Sequence, residues 1–491
     1  MNFGFITYII GWILKFQAAF LLVPCIVSIA YKEKSGFAFI ISAIISFTIG
    51  MLCTLKKPKN KSFYAKEGFV SVACGWIALS VSGALPFIIS GEIPNVFNAL
   101  FETISGYTTT GATILSDVES LSKCILFWRS FTHWIGGMGV LVFVLCILPL
   151  ADGNNMHLMR AESPGPSVGK LVPKMKSTAM ILYGIYAALT VIECILLLFG
   201  KMSFFDAITT SLATAGTGGF GIKNSSIAEY STYIQNVVAV FMVIFGVNFN
   251  IYFLLLVRKP KEILQSEELR TYLGIVLVAT LIIGFNISSS FTSIWESMQQ
   301  AFFQVASIIT TTGYATTDFN YWPSLSKFVL VALMFVGGCA GSTSGGIKVS
   351  RILIACKNLK NEIYSFVHPK RVQIIRLEGR KVGNDVVKSV NVYLVLYALI
   401  FAASVFLISI ENGSFETNFT AVAATLNNIG PGLDGVGPMA NFGGFSPFSK
   451  CVFMFGMLAG RLELVPMIIL FSPWVWKNNR RNSQKALKLS S

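Results

Sequence analysis

Four short segments of this chain follow one pattern. A phenylalanine opens an apolar, helix-like stretch, and ten or eleven residues later comes a glycine with a small polar residue two places before it. The segments are Thr109-Thr110-Gly111, Thr214-Ala215-Gly216, Thr311-Thr312-Gly313 and Asn428-Ile429-Gly430. The leading phenylalanines are Phe101, Phe205, Phe303 and Phe419. Each segment lies between two long hydrophobic runs. Four copies of helix, half-helix, glycine loop and helix can surround one axis. They would then present four sets of backbone carbonyls to one hole, which is how a protein replaces the hydration shell of a bare cation.

The half-helices are short for this purpose. About 12 residues cannot cross a hydrocarbon layer of about 30 Å. Loop backbone in lipid would be unsatisfied, so it must be buried in protein or line a watery cavity. The repeats therefore have to face one another. Helix C-termini carry partial negative charge, and four of them aimed at the midplane favour a cation there. Glycine permits backbone angles at which most L-residues are strained by roughly 1–2 kcal/mol. The residues two places earlier are Thr, Thr, Thr and Asn. An oxygen-only ligand set suits a hard alkali cation.

Composition places these segments in a membrane. The 491 residues are 54% hydrophobic and only 12% charged, about half the charge of a soluble protein. We expect an all-α polytopic membrane protein with ten spans, near 5–30, 36–55, 69–90, 126–150, 178–200, 232–257, 271–288, 325–354, 390–410 and 450–474. The first lacks a basic n-region and a cleavage site, and reads as a retained helix. Nine cysteines are scattered without a CxxC pair, and His133, His157 and His368 have no ligand spacing. Neither set suggests a disulfide frame or a metal centre.

The net charge of +15 could suggest nucleic acid, but its distribution argues against that. Basic residues gather at Lys56–Lys66, Arg160–Lys176, Arg258–Arg270, Lys348–Lys388 and Lys477–Lys488, always after an even number of spans. The positive-inside rule makes that side cytoplasmic, with both termini inside. The opposite stretches 288–324 and 411–449 contain Glu296, Asp318, Glu411, Glu416 and Asp434 and no Lys or Arg. Acidic loops at a pore mouth concentrate cations. The organisation reads as an N-terminal hairpin (1–60), repeats at 68–150, 178–257, 271–360 and 388–474, and a basic cytoplasmic tail (475–491).

At this point the chain resembles the Trk/Ktr/HKT superfamily of potassium transporters. GYTTTGAT (106–113), ATAGTGGFG (213–221), ITTTGYATTDF (309–319) and NNIGPGL (427–433) are similar to its four filter segments. GGCAGSTSGGIK (337–348) is similar to its intramembrane loop, and GRLE (460–463) to the arginine segment of its last helix. The extra N-terminal hairpin resembles the bacterial TrkH branch. The resemblance implies potassium as the transported ion, with no cofactor in this chain. It also implies a bacterial inner-membrane homodimer and a cytoplasmic nucleotide-binding regulatory subunit of the TrkA type. The inner-face basic links would also meet anionic membrane lipids. The fourth filter, with Ile429 and Pro431, departs from the threonine pattern of the others.

Two gating candidates follow. The eighth span is interrupted by Gly337, Gly338, Gly341, Gly345 and Gly346, just before Lys348. Each glycine costs a helix about 1 kcal/mol relative to alanine, so a loop is expected below the third filter. It lacks the GK[ST] ending of a phosphate-binding loop. Arg461 is expected near the middle of the tenth span. An arginine there faces a cavity or a partner. It is either an electrostatic barrier in the pore or one half of a structural ion pair. Channel-like uptake and sodium- or proton-coupled symport both fit these features. Glu193, in the fifth span, is the nearest candidate for a proton relay. An intramembrane enzyme would need a catalytic set, and no HExxH or GxSxG falls within the expected spans.

Overall fold

The structure is a computed structural model, and it describes residues 1–58, 65–139, 175–368, 374–411 and 413–476. The second half of the fourth expected span, the link containing His157, Arg160, Lys170 and Lys174, and the tail from Lys477 lie outside the described residues.

The chain opens with helices α1 (Phe3–Leu21), α2 (Val23–Tyr31) and α3 (Gly36–Thr54). Helix α1 packs along α3 and then on α4 (Ala65–Ser90). Four similar units follow. The first is α4, α5 (Val96–Tyr107) and α6 (Lys123–Gly137). The second is α7 (Met175–Phe199), α8 (Phe204–Gly216), α9 (Thr232–Phe245) and α10 (Phe249–Leu256), then a short α11 (Pro260–Gln265). The third is α12 (Glu267–Asn286), α13 (Ile294–Ile309), α14 (Ser324–Val336) and α15 (Val349–Val367). A two-strand hairpin, β1 (Arg376–Leu377) with β2 (Arg380–Lys381), leads to the last. That unit is α16 (Asn384–Ile408), α17 (Phe415–Leu426), α18 (Pro447–Arg461) and α19 (Val465–Phe471).

The short helices α5, α8, α13 and α17 have 12, 13, 16 and 12 residues. All four start on a side-chain cap that accepts a backbone N–H, from Asn95, Ser203, Ser293 and Ser414. Such caps satisfy donors that a helix start otherwise leaves unpaired. These short helices and α6 are largely enclosed, whereas only 17% of the apolar span in α16 and 22% of that in α7 is buried. The apolar residues of α7 and α16 thus mostly face outward, as lipid requires, and the short helices lie inside.

Packing closes the units into a ring. Helix α6 packs on α8, α9 on α13, α14 on α17, and α18 returns to α5. In each case the helix leaving one loop supports the short helix of the next unit.

The ten expected spans are corrected in one respect. Among the described residues six helices are long and apolar enough to cross a membrane, and a seventh span is the pair α9 and α10, bent by 91°. Among the described residues, three of the helices that leave the loops, α9, α14 and α18, are broken. The expected spans 325–354 and 450–474 are each interrupted, the first by the stretch between Val336 and Val349, the second between Arg461 and Val465.

Candidate functional site

Each short helix ends in the same backbone turn. The N–H groups of Thr110, Gly218, Thr312 and Ile429 donate to the carbonyls of Ser105, Ala213, Ser307 and Ala424, five residues back. The preceding N–H groups, of Thr109, Thr217, Thr311 and Asn428, donate three residues back, to Gly106, Thr214, Ile308 and Thr425. This is the Schellman closure of a helix C-terminus, which puts one residue in the left-handed region. That residue is Thr109 (φ 55°), Thr217 (52°), Thr311 (56°) and Asn428 (56°). Glycine normally fills this position. Four side chains held there cost roughly 1–2 kcal/mol each, and strain of this kind persists where function demands it.

Two residues later comes a glycine of positive φ: Gly111 (76°), Gly219 (74°), Gly313 (85°) and Gly430 (103°). A Cβ on Gly111 would overlap the carbonyl oxygen of Gly218. One on Gly219 would overlap that of Thr312, and one on Gly313 that of Ile429. On Gly430 it would lie 2.8 Å from that of Thr110. The contacts run from the first loop to the second, third and fourth and back to the first.

This fixes the register of the second loop. The segment Thr214-Ala215-Gly216 is the last turn of α8, with the Thr214 hydroxyl bonded to the Thr210 carbonyl. The backbone equivalent of Thr109-Thr110-Gly111 is Thr217-Gly218-Gly219. The placement expected from sequence is three residues early. Residues 109–111, 311–313 and 428–430 do come together as expected.

Side chains differ more than backbone. Thr108 and Thr310 each bond the carbonyl four residues back and the hydroxyl of Thr110 or Thr312, at 2.8 and 2.7 Å. In the fourth loop the Asn427 amide makes the same backward bond, to Ala423 (2.9 Å). The Asn428 amide reaches Thr110 Oγ1 (3.0 Å) and the Met457 carbonyl (2.9 Å). In the second loop His133 explains the glycine at 218, where a Cβ would overlap its ring. The ring accepts the Phe220 N–H at Nε2, so Nδ1 carries the proton and donates to the Gly106 carbonyl (2.7 Å).

No donor among the described residues reaches the carbonyls of Thr109, Thr110, Thr217, Gly218, Thr311, Thr312, Asn428 or Ile429. All of these residues are buried. Buried carbonyls are nearly always paired, and eight without a donor around one ring form an oxygen ligand set that can take a cation. On the side of the acidic loops a cavity of about 150 Å³ touches all four glycines. On the other side a cavity of about 90 Å³ is lined by Gly137, Ser344, Gly345, Lys348 and Arg461.

The expected loop lies against the underside of the ring. The Gly345 N–H donates to Thr311 Oγ1 (2.6 Å), and a Cβ on Gly345 would overlap the Asn427 carbonyl oxygen. A Cβ on Gly338 would come within 3.0 Å of the Gly246 carbonyl, so the loop also fits closely against the α9–α10 break. Gly337, Gly341 and Gly346 have φ of 72°, 74° and 75°, and Lys348 has 83°. The Lys348 ammonium bonds the Ser344 carbonyl inside the loop. Lys348 and Arg351 are buried, so they do not belong to the exposed basic link.

Arg461 is the last residue of α18, not the middle of a span. Its guanidinium donates to the carbonyls of Thr343 (2.8 Å), Gly136 (2.6 Å) and Gly137 (2.7 Å). It ties the loop to the C-terminal end of α6, where partial negative charge favours it. Glu463 pairs instead with Arg351, which lies 4.0 Å over the Tyr393 ring.

One buried group was missed from sequence. Glu102 in α5 and Arg129 in α6 form an ion pair at 2.8 Å, both out of solvent. Glu102 also accepts the Ile114 N–H (3.1 Å), and Arg129 donates to the Gly221 carbonyl (3.1 Å) over the face of Phe220. The pair fastens the first two loops behind the ring. Two charges inside apolar helices were the available signal.

Residues 35–478 match the TrkH family, described as a cation transport protein. The chain belongs to the TrkH family. It is 38% identical over 487 residues to the Trk system potassium uptake protein TrkH of Escherichia coli K12, covering 97% of this chain and 100% of that protein. The TrkG protein of the same organism is 35% identical, with 96% and 98% covered. The crystal structure of the potassium transporter TrkH from Vibrio parahaemolyticus superposes with a TM-score of 0.87 at 33% identity, covering 97% and 100%. Proteins of the TrkH family are transporters, not enzymes, and the helical fold described above is the family fold.

Proposed function

We propose that this chain carries potassium across the bacterial inner membrane through the ring of Thr109–Gly111, Thr217–Gly219, Thr311–Gly313 and Asn428–Gly430. The observation that carries this reading is the closed circuit of glycine-to-carbonyl contacts around eight carbonyls without donors. The basic face is cytoplasmic, with both termini inside, and the acidic loops face outward. Membrane potential drives the ion inward. The loop 337–348 and Arg461 restrict the inner end, because a guanidinium beside the path repels a cation. The chain acts as a homodimer, and its cytoplasmic face takes a nucleotide-binding regulatory subunit of the TrkA type.

Rubidium uptake into vesicles under imposed voltage, with sodium as competitor, tests the pathway. Gly111→Ser and Gly313→Ser should each lower rubidium over sodium preference about tenfold, or about 1.4 kcal/mol. Unchanged preference in both would remove the ring from the path.

A coupled symport reading draws on one observation. Glu193 is fully buried in α7, and neither carboxyl oxygen has a hydrogen-bond partner among the described residues. Uptake that requires a sodium or proton gradient, and loses that requirement in Glu193→Gln, would favour it over voltage-driven flux.

A further inference from the structure

The neck of the loop beneath the ring is closed by one carboxylate. Glu268, the second residue of α12, is buried. Its Oε1 accepts the N–H of Ala340 (2.7 Å) and the N–H of Ser350 (3.1 Å). Ala340 lies near the start of the loop, and Ser350 is in the first turn of α15. A single oxygen thus joins entry and exit. Helix α15 has no side-chain cap of its own at Lys348. A carboxylate from a neighbouring helix supplies the acceptor there and complements the partial positive charge of the helix start.

Two guanidiniums also hold the loop, Arg461 at the Thr343 carbonyl (2.8 Å) and Arg351 at the Ile347 carbonyl (3.2 Å), but each takes one point of it; its remaining contacts to other helices are neutral. Cys339 N–H donates to the Gly246 carbonyl (2.9 Å), Phe249 N–H to the Gly341 carbonyl (3.0 Å) and Thr343 Oγ1 to the Phe245 carbonyl (3.3 Å). Charge-assisted bonds are roughly twice as strong as neutral ones, and Glu268 makes one at each end of the loop, at Ala340 and at Ser350.

The two residues before Glu268 face the other way. Glu267 pairs with Lys357 of α15, and Lys357 also donates to the Arg376 carbonyl in the β-hairpin (2.7 Å). Ser266 Oγ donates to Glu378 Oε1 (2.8 Å) in the turn of that hairpin. Three consecutive residues therefore hold the hairpin, α15 and the loop.

We propose that Glu268 is the latch that keeps loop 337–348 beneath the ring, and that Ser266–Glu268 passes movement of the hairpin and α15 to that latch. This rests on the reading above in which the loop restricts the path. Glu268 is a positioning residue. It touches no ion, and acts by fixing the loop. Pulling the hairpin away from α12 draws on Ser266 and Glu267, shifts the Glu268 carboxylate, and frees both ends of the loop together.

The test uses the full chain in vesicles, with rubidium influx under imposed voltage scored per folded protein. Glu268→Ala should raise influx about tenfold, an equilibrium shift of about 1.4 kcal/mol, with sodium competition unchanged. Glu268→Gln keeps the shape and one acceptor oxygen and should raise it less. In a chain shortened within 341–346, Glu268→Ala should add nothing. Raised influx in the shortened chain but not in folded Glu268→Ala would overturn the latch and leave the gate standing. No rise in either would remove the gate, and the latch with it. Should the alanine variant fail to fold, amide exchange in Glu268→Gln decides. Peptides covering 338–351 should exchange faster than in the parent, and equal protection would overturn the proposal.

Discussion

On the side of the acidic loops, four segments repeat one backbone turn. On the other side, the helices that leave them end in four different ways. The ring places Thr109, Thr217, Thr311 and Asn428 within 4° of one another in φ. Below it, α6 ends at Gly137, α9 bends by 91° into α10, α14 gives way to a glycine loop, and α18 stops at Arg461. Under the proposed function the difference follows from what each side has to do. Coordination needs equivalent ligands on every side of an ion, so strain is accepted four times over. Restriction needs one obstacle, so a single loop and a single guanidinium suffice, and the other units supply only their anchors. Gly136 and Gly137 offer carbonyls to Arg461, and Gly246 receives the loop.

The sharpest way to break this comparison is in the second loop. Gly219→Ala should lower rubidium over sodium preference at least tenfold, by about 1.4 kcal/mol or more, because its Cβ would overlap the Thr312 carbonyl oxygen. Thr214→Ala should leave preference unchanged, since that hydroxyl donates back to the Thr210 carbonyl inside α8. The reverse result would restore the earlier register.

Next in size is the inner side. Arg461→Ala removes three bonds to carbonyls and the charge beside the path. We expect influx per folded protein to rise about tenfold with preference retained, again about 1.4 kcal/mol. A fall in influx in well-folded protein would show that Arg461 does not restrain the ion.

The strain in the ring can be measured separately. Thr109→Gly should raise thermal stability by about 1 kcal/mol, because glycine relieves the left-handed backbone. The same change should weaken ion retention through loss of a side-chain oxygen. Lower stability would mean that the position is unstrained.

The smallest effect belongs to the acidic surface. Hydroxyls of Ser414 and Thr417 hold the Asp434 carboxyl below the usual carboxylate range. A lowered carboxylate stabilises the fold above its unfolded value, and that contribution is lost as pH falls through the folded value. Asp434→Asn should flatten a slight acid dependence of melting temperature and leave ion preference untouched. An unchanged acid profile would show that these bonds contribute nothing.

Much of the architecture was legible in the chain. Gly111, Gly313 and Gly430 could be placed from spacing, because glycine and its preceding oxygen-bearing residue report a backbone demand. The second loop could not, for a specific reason. The run 216–219 contains three glycines, and Phe205 gave the expected distance to the first of them. A slip of three residues keeps a helical side chain on nearly the same face, so the pattern of α8 looked the same in either register. The helix-closing turn at Thr217 and the contact from Gly219 to Thr312 distinguish them. The break in the eighth span was visible from its glycines. The stop at Arg461 was not, because its partners are backbone carbonyls that leave no trace in side-chain patterns. The Glu463 to Arg351 and Glu102 to Arg129 pairs join distant segments, and spacing within one helix cannot reveal them.

The central claim is that one ion sits on an axis shared by four equivalent loops. Anomalous scattering from crystals grown in rubidium measures this directly. The account predicts rubidium peaks on that axis, within coordination distance of the carbonyls of Thr110, Gly218, Thr312 and Ile429. Peaks off the axis, or beside Thr214–Gly216 and away from Gly218, would contradict it.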